Sequence, residues 1–227
     1  MLIIIGFIVV VAIYMLYVYF TNATLTSGVI DLSKTTDYTY DKLKSANSKI
    51  YSLAAWIFMT GQTGQGGFIF KRQSTEDEKI NIGLYFNGTT LELFGGAIPA
   101  GNPPTNKLFT VTNQLPLQKW VYVVVNVNGD LVEVYLNGKI VKTVQLTSTT
   151  LTSNFSPTAT LKVGGSAIKG YITQFSMVPE IIGASKVWKN YLSGNGIGNQ
   201  FLNYFMPYNI NMTVTKDDVL QRQFSIF

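Results

Sequence analysis

The side chains of this sequence best suited to acid–base catalysis are carboxylates, because the chain contains neither cysteine nor histidine. A run of acids occurs at Glu76, Asp77 and Glu78, and single acids occur at Glu92 and Glu133. Hydrolysis by paired carboxyls needs two of them about 5 Å or about 6.5–9.5 Å apart across a cleft. The run lies in a predicted loop among basic residues, and the single acids occupy polar positions of predicted strands. We therefore interpret all five as solvated surface acids and predict no catalytic residues and no enzymatic activity.

Metal and cofactor sites find little support in the same residues. The absence of cysteine and histidine excludes disulfides and thiolate or imidazole ligands. Asn126, Asn128 and Asp130 come nearest to a set of oxygen ligands for a hard cation, but turn chemistry explains them without a metal. The glycine-rich residues 61–67 lack the Lys-Ser/Thr pair of a phosphate-binding loop. We predict no metal and no cofactor.

The N-terminus carries the most specific signal, an apolar run over residues 2–20 with no charged residue before Asp31. At about 1.5 Å per residue it makes a helix of about 28 Å, close to the ~30 Å hydrocarbon thickness. Residues 1–20 are therefore predicted to form a transmembrane helix in a lipid bilayer. The alternative is a signal peptide cleaved after Ala23, although no Lys or Arg precedes the run. The predicted anchor residues include Leu2, Ile5, Phe7, Val10, Tyr14, Tyr17 and Phe20.

Charge patterning adds a topology and excludes one class of partner. The net charge of +5 arises from 17 Lys+Arg against 12 Asp+Glu without a basic block, so no nucleic-acid partner is predicted. Lys34, Lys42, Lys44 and Lys49 follow the anchor while nothing charged precedes it, which favours a single-pass protein with its large domain on the cytosolic side. Residues 21–48 are predicted to be a polar stalk with an edge strand near residues 29–32.

Turn chemistry indicates an all-β domain over residues 49–194. Three Asn-Gly pairs lie between alternating apolar runs, which predicts type I′ hairpins with positive φ at both residues. The second and third pairs join three runs into an antiparallel meander over residues 120–146. Its first run is apolar on nearly both faces, so that strand should lie inside its sheet. The hairpin-turn residues are Asn87, Gly88, Asn128, Gly129, Asn137 and Gly138.

Five further runs complete the prediction of strands, at residues 51–59, 67–71, 107–112, 160–163 and 171–178. Ser185 is expected to cap a short helix that ends at Leu192 and docks on the sheets, with Gly194 as its left-handed stop. Residues 195–227 are predicted to be a C-terminal arm. Its aromatic residues offer a contact for a partner protein, namely Phe201, Tyr204, Phe205 and Tyr208.

Four stretches of these strands resemble a known family. They are Trp120-Val-Tyr-Val-Val-Val-Asn-Val-Asn-Gly129, Val134-Tyr-Leu-Asn-Gly138, Leu161-Lys-Val-Gly-Gly165 and Gly170-Tyr-Ile-Thr-Gln-Phe175. Together they resemble concanavalin A-like domains of the laminin G type. The resemblance implies a jelly-roll sandwich of two antiparallel sheets, and its members include glycanases, carbohydrate-binding modules and structural proteins. The glucanase members carry the acids Glu-x-Asp-x-x-Glu along one strand, and this sequence has no such strand.

The combined features favour a membrane-anchored structural protein. Short anchored proteins with a laminin-G-like domain are similar to ones of large icosahedral DNA viruses, whose capsid encloses a membrane. That resemblance implies a minor capsid protein on the internal membrane of a virion, with capsid or other virion proteins as partners and its β domain on the capsid-facing side. The alternative is a membrane-tethered lectin or adhesion module, for which no glycan site is located in the sequence.

Overall fold

Short β-strands joined by tight turns form two antiparallel sheets that pack face to face. The computed structural model describes residues 24–26, 28–43, 49–74, 79–96, 107–146, 158–195, 211–216 and 219–225. The strands of the sandwich are β1 (Thr24–Thr26), β2 (Ile30–Asp31), β3 (Thr36–Tyr38), β4 (Ile50–Gln62), β5 (Gly67–Gln73), β6 (Ile80–Asn87), β7 (Thr90–Gly96), β8 (Lys107–Thr112), β9 (Trp120–Asn128), β10 (Leu131–Leu136), β11 (Lys139–Gln145), β12 (Thr160–Val163) and β13 (Ile168–Val178).

The seven-stranded sheet has the order β1-β13-β4-β9-β10-β11, with β2 also pairing with β13. The six-stranded sheet has the order β3-β12-β5-β6-β7-β8. Every pairing is antiparallel, so the prediction of an all-β, jelly-roll-like sandwich is confirmed. Within the described residues no helix is long and apolar enough to cross a bilayer. The predicted anchor, residues 1–20, lies outside the part of the chain that the structure describes.

Alternation along the strands builds the core between the sheets. In β9, Val123, Val125 and Val127 face the main core, while Tyr122 and Val124 belong to a second cluster on the other face. Because β9 lies between β4 and β10 and is buried on both faces, the prediction of an interior strand is confirmed.

The segment predicted to be a stalk contributes three strands to the sandwich. β1 and β2 pair with β13, and β3 pairs with β12 of the other sheet. Gly164 allows the chain after β2 to pass close to it, since it has φ +78° and a Cβ there would lie 2.3 Å from the Lys34 carbonyl oxygen. Leu32 is fully buried in the core. The sandwich therefore begins before residue 49.

The three Asn-Gly pairs do mark hairpins, but their turn type needs correction at two of them. Only Asn137 and Gly138 both have positive φ, at 49° and 80°, as a type I′ turn requires. Asn87 and Asn128 instead end their strands and pair with Thr90 and Leu131. The two-residue turns are therefore Gly88-Thr89 and Gly129-Asp130. Positive φ at the first residue alone is the pattern of type II′, in which glycine takes the first position.

The α-helix of the described region, α1 (Ala184–Leu192), begins two residues earlier than a cap at Ser185 would place it. Gly183 stands at its N-cap without a side-chain hydrogen bond, so the prediction of a Ser185 cap was wrong. Gly194 has φ +76°, the left-handed stop that was expected. The predicted docking of the helix is confirmed, because Val187 is fully buried against the sheet.

The last residues include a hairpin of their own. β14 (Asn211–Lys216) and β15 (Val219–Ser225) pair antiparallel within the predicted C-terminal arm. The predicted contact residues lie outside the described residues, namely Phe201, Tyr204, Phe205 and Tyr208.

Candidate functional site

The face of the seven-stranded sheet that points away from the core, here called the outer face, is partly covered by α1. Trp56 and Tyr122 lie on adjacent strands with ring centroids 5.2 Å apart. Tyr191 of the helix stacks on Trp56 at 5.7 Å with the rings 21° from parallel. Burial in this cluster raises the pKa of the Tyr122 hydroxyl, partly offset by a hydrogen bond from Asn190. The covered part of the outer face is thus a second small core.

Two residues further along the same strands, three aromatic residues lie side by side without that cover. Tyr171 of β13 pairs with Phe58 of β4, which pairs with Trp120 of β9. The Phe58 ring lies 5.4 Å from Trp120 and 6.3 Å from Tyr171, tilted by 48° and 44°. Tyr171 is 43% exposed, and the other two are half-buried. We call these three residues the aromatic row.

At the opposite end of the outer face, a polar network joins the sheet to the segment before α1. The Ser52 hydroxyl lies 2.7 Å from Asn126 Oδ1 and receives the Ile182 N–H at 3.0 Å. Asn126 Nδ2 donates to the Ile182 carbonyl oxygen and to Glu133 Oε2. Tyr135 also donates to Glu133 Oε2, at 3.3 Å. Because Ser52 and Asn126 are buried and hydrogen-bonded to each other and to Ile182, the network fixes the segment onto the sheet.

Charge and burial act together on Tyr135. Burial raises the pKa of its hydroxyl, and the neighbouring Glu133 carboxylate raises it further. The hydroxyl therefore stays neutral and remains the donor of the hydrogen bond to Glu133. Oε2 of the Glu133 carboxylate accepts both hydrogen bonds, from Asn126 Nδ2 and from the Tyr135 hydroxyl.

A small pocket opens next to this network, with a volume of about 60 Å³. Its wall combines amide and carboxylate groups with apolar side chains. That volume admits a few water molecules or one end group of a larger ligand, well below the ~300–1,000 Å³ of sites that enclose a whole small molecule. The lining residues are Asn126, Asn128, Leu131, Glu133 and Ile181.

The two single acids do not converge. Glu133 lies on β10 of the seven-stranded sheet, on the outer face with Tyr135. Glu92 lies on β7 of the six-stranded sheet, between the core residues Leu91 and Leu93, and forms an ion pair with Lys107 at 3.0 Å. Since both point away from a core about 10 Å thick, they cannot flank one scissile bond. The third candidate, the run Glu76 to Glu78, lies outside the described residues.

The other residues singled out in the sequence have structural roles here. Asn126 belongs to the network, and Asn128 lines the pocket. Asp130 is a turn residue, and the described residues contain no cluster of acids that could hold a metal ion. Asn137 accepts the Tyr122 N–H with its side-chain oxygen at 3.0 Å, so it fixes the turn beneath Trp188.

Sequence reasoning missed the aromatic row. Phe58, Trp120 and Tyr171 were each recognised as strand residues, but their adjacency depends on the order of β13, β4 and β9, which are distant in sequence. A partial signal existed, because Phe58 is two residues after Trp56 and Trp120 is two residues before Tyr122. Period-two spacing therefore indicated that each pair shares a face of its strand.

Comparison with known proteins identifies the class to which this sandwich belongs. Residues 32–193 match the family model of the concanavalin A-like lectin/glucanases superfamily, in its laminin G form. The match covers most of the chain, so the chain belongs to this superfamily. A search of curated proteins finds no match to the sequence.

Solved structures agree on the fold. The binding domain of botulinum neurotoxin serotype D/C is 16% identical with a TM-score of 0.53, over 72% of this chain and 42% of that one. The botulinum neurotoxin DC binding domain in complex with rat synaptotagmin II is 17% identical with a TM-score of 0.51, over 69% of this chain and 39% of that one. A Trypanosoma rangeli sialidase complex is 16% identical with a TM-score of 0.50, over 66% of this chain and 24% of that one. This chain spans less than half the length of each of these relatives.

Proposed function

We propose that this chain is a membrane-anchored structural protein without catalytic activity, in which residues 1–20 span a bilayer and the sandwich contacts a protein layer beside it. The main support is where the first strand begins. Thr24 pairs with Ser176 only four residues after Phe20. At about 3.5 Å per residue, that connection reaches about 14 Å at most. The sandwich would therefore lie close against the bilayer, a geometry suited to holding two layers together.

For the protein layer, we propose the capsid shell of a large virus with an internal membrane. The support is the combination of one short apolar segment with one laminin-G-like domain, and the absence of cysteine agrees with a domain on the cytosolic-origin side. In this hypothesis the chain is a minor virion protein.

The separation of the carboxylates supports the absence of catalysis. Glu92 is held in an ion pair on one sheet, and Glu133 is held by two donors on the other. Neither belongs to a cluster of three or more acids among the described residues. A structural or binding role fits this arrangement better than hydrolysis does.

A second candidate is a membrane-tethered glycan-binding module. The observation that favours it is the pocket beside Glu133, where a carboxylate and two amides adjoin apolar walls. Such groups can bind the hydroxyls and the apolar edge of one sugar residue. The superfamily also includes lectins.

Membrane extraction tests the anchor. The full chain should stay in the membrane fraction through alkaline carbonate washing. Changing Val10 and Ile13 together to lysine should release it, because both lie near the centre of the segment, where each charge costs about 2.5–3.5 kcal/mol. The matched control, Thr21→Lys, places a charge at the end of the segment and should leave the protein in the membrane.

Cross-linking in purified particles or membranes tests the structural role. The proposal expects cross-links from the sandwich to proteins of an adjacent layer and no turnover of glycans. Recovery of a mature chain beginning after Ala23 would contradict the anchor. Glycan-array binding that is lost in Glu133→Gln, without cross-links to a protein layer, would favour the second candidate instead.

A further inference from the structure

The two ends of the seven-stranded sheet differ in charge, and the aromatic row lies toward one of them. The Asn128 end carries the turn at Gly129, together with Ile50 and Val178. The opposite end, here the Asn137 end, carries the turn at Gly138 together with Gln62 and Trp120. Three acids lie at the Asn128 end, namely Asp130, Glu133 and Glu180. Near the aromatic row the acid is Asp31, whose carboxylate accepts the Ser33 N–H and is attracted by Lys34.

Exposed lysines surround the Asn137 end. Lys169 lies two residues before Tyr171 on β13, and Lys119 directly precedes Trp120. Lys139 follows the Asn137-Gly138 turn, and Lys34 follows β2, whose Asp31 pairs with Tyr171. None of the four forms an ion pair with a described residue. We call Lys34, Lys119, Lys139 and Lys169 the lysine rim.

The path of the chain sets the orientation of this end. β1 pairs with β13 near Val178, and β2 pairs with it near Tyr171. The chain thus enters the sheet at the Asn128 end and runs toward the Asn137 end. If residues 1–20 are in a bilayer, as proposed above, the aromatic row and its lysine rim lie on the part of the sheet farther from the membrane.

The shape of the row favours a protein ligand. The neighbouring rings are tilted by 48° and 44°, so they form ridges rather than one flat platform for the face of a sugar. Protein interfaces are rich in Trp, Tyr and Phe, whose ridges interdigitate with apolar side chains. Trp188, 43% exposed and lying over Gly138, adds apolar area near the same end.

From these observations we propose that the aromatic row is the docking surface for a partner protein that inserts apolar or aromatic side chains between Tyr171, Phe58 and Trp120 and surrounds them with acidic residues. The lysine rim supplies the complementary charge. This inference rests on the proposed function for its orientation and identifies the surface that contacts the adjacent protein layer.

Binding of defined acidic polymers to the full chain in phosphatidylcholine nanodiscs tests the surface. The probes are a random copolymer of glutamate and tyrosine, polyglutamate of the same length, and heparin as an acidic polysaccharide. The copolymer should bind at least about fivefold more tightly than polyglutamate, because an aromatic anchor in an interface contributes more than about 1 kcal/mol. Raising the salt concentration should weaken binding of both polymers.

Matched variants locate the effect. Tyr171→Thr should weaken copolymer binding about fivefold or more and leave polyglutamate binding unchanged, whereas Tyr40→Thr, at an exposed tyrosine elsewhere, should alter neither. Changing Lys119 and Lys169 together to glutamate should weaken both polymers, whereas Lys49→Glu at the Asn128 end should not. Circular dichroism and melting of each variant verify that it is folded.

Three results would overturn the proposal. The first is equal affinity for the copolymer and polyglutamate. The second is copolymer binding that is insensitive to Tyr171→Thr in a folded variant. The third is heparin binding that is tighter than copolymer binding and lost in Tyr171→Thr, which would make the row a glycan site. None of these results bears on carbonate extraction, so failure of this inference is distinguishable from failure of the anchor.

Discussion

Two halves of one sheet face differ in what covers them. On β4 and β9, Trp56 and Tyr122 are 6% and 4% exposed beneath α1. Two residues away on the same strands, Phe58 and Trp120 are half-buried and lie beside the 43% exposed Tyr171. Trp56 and Phe58 share one strand and face, as do Tyr122 and Trp120, and the pair beneath the helix is the one that Tyr191 covers.

This comparison separates folding from binding. Aromatic residues under the helix are part of a packed cluster, and their removal would leave a cavity. The aromatic row has no such role, because water already reaches Tyr171. Large exposed aromatic groups that the fold does not need are candidates for contact with another molecule.

The largest expected effect comes from the segment that borders the row. Gly164→Ala should lower the free energy of unfolding by about 3 kcal/mol, because it adds left-handed strain and a clash with backbone oxygens of Leu32 and Lys34. Urea unfolding measures the loss. Gly165→Ala is the control, since no atom lies within 4 Å of its Cβ and its φ is not positive. Equal stability of the two variants would contradict the close packing of residues 32–34 against Gly164.

The next effect concerns the attachment of the helix. Gly138→Val should cost about 2–3 kcal/mol, because φ is +80° and the new Cβ would lie 2.5 Å from the Trp188 ring. Gly129→Ala, with φ +60° and open space around it, isolates the conformational term and should cost about 1 kcal/mol. If the two variants unfold at the same urea concentration, Trp188 does not pack on this turn.

Removing the helix contact itself should have a smaller effect. Val187→Ala deletes two methyl groups from a fully buried side chain, which should cost about 1.5–2 kcal/mol. Leu192→Ala on the 39% exposed side should change stability by less than about 0.5 kcal/mol. Thermal unfolding compares the two variants. Similar losses of stability would mean that the packing of α1 on the outer face does not depend on the buried side of the helix.

Alkaline pH should distinguish the covered tyrosines. The folded pKa of Tyr135 is raised by burial and then by Glu133, above the ordinary value of about 10. As pH rises, the unfolded chain therefore loses this proton before the folded protein does. The free energy of unfolding is unaffected by this group below about pH 10 and falls as pH rises from there toward the folded pKa. Unfolding free energies should decrease above about pH 10, less steeply in Tyr135→Phe. An identical slope in both proteins would contradict the raised pKa.

Local sequence signals located most of the strands but not the site. The runs at 107–112 and 160–163 matched their strands, because the composition of a run and the turn residues that bound it do not depend on which strand it pairs with. Asn87 and Asn128 show the limit of such rules. Each is the last residue of its strand, and the glycine after it takes the first position of the turn. The edge strand expected near residues 29–32 corresponds to β2, whereas β1 and β3 were missed because strands of three residues are too short to show alternation. The aromatic row was missed because it depends on the pairing of strands that are distant in sequence.

The smallest effect on stability is expected at Tyr171. Its substitution is the most direct test of the difference between the aromatic row and the residues under α1. Tyr171→Thr keeps a β-branched residue in β13 and removes a 43% exposed ring, so the free energy of unfolding should change by about 0.5 kcal/mol or less. Trp56→Thr, on the adjacent strand and the same face, should cost about 3 kcal/mol or more, because it empties the space beneath Tyr191. Urea unfolding of both variants provides the measurement. A large loss of stability in Tyr171→Thr would show that the fold requires the aromatic row. Its exposure would then no longer be an argument that the row is an interface.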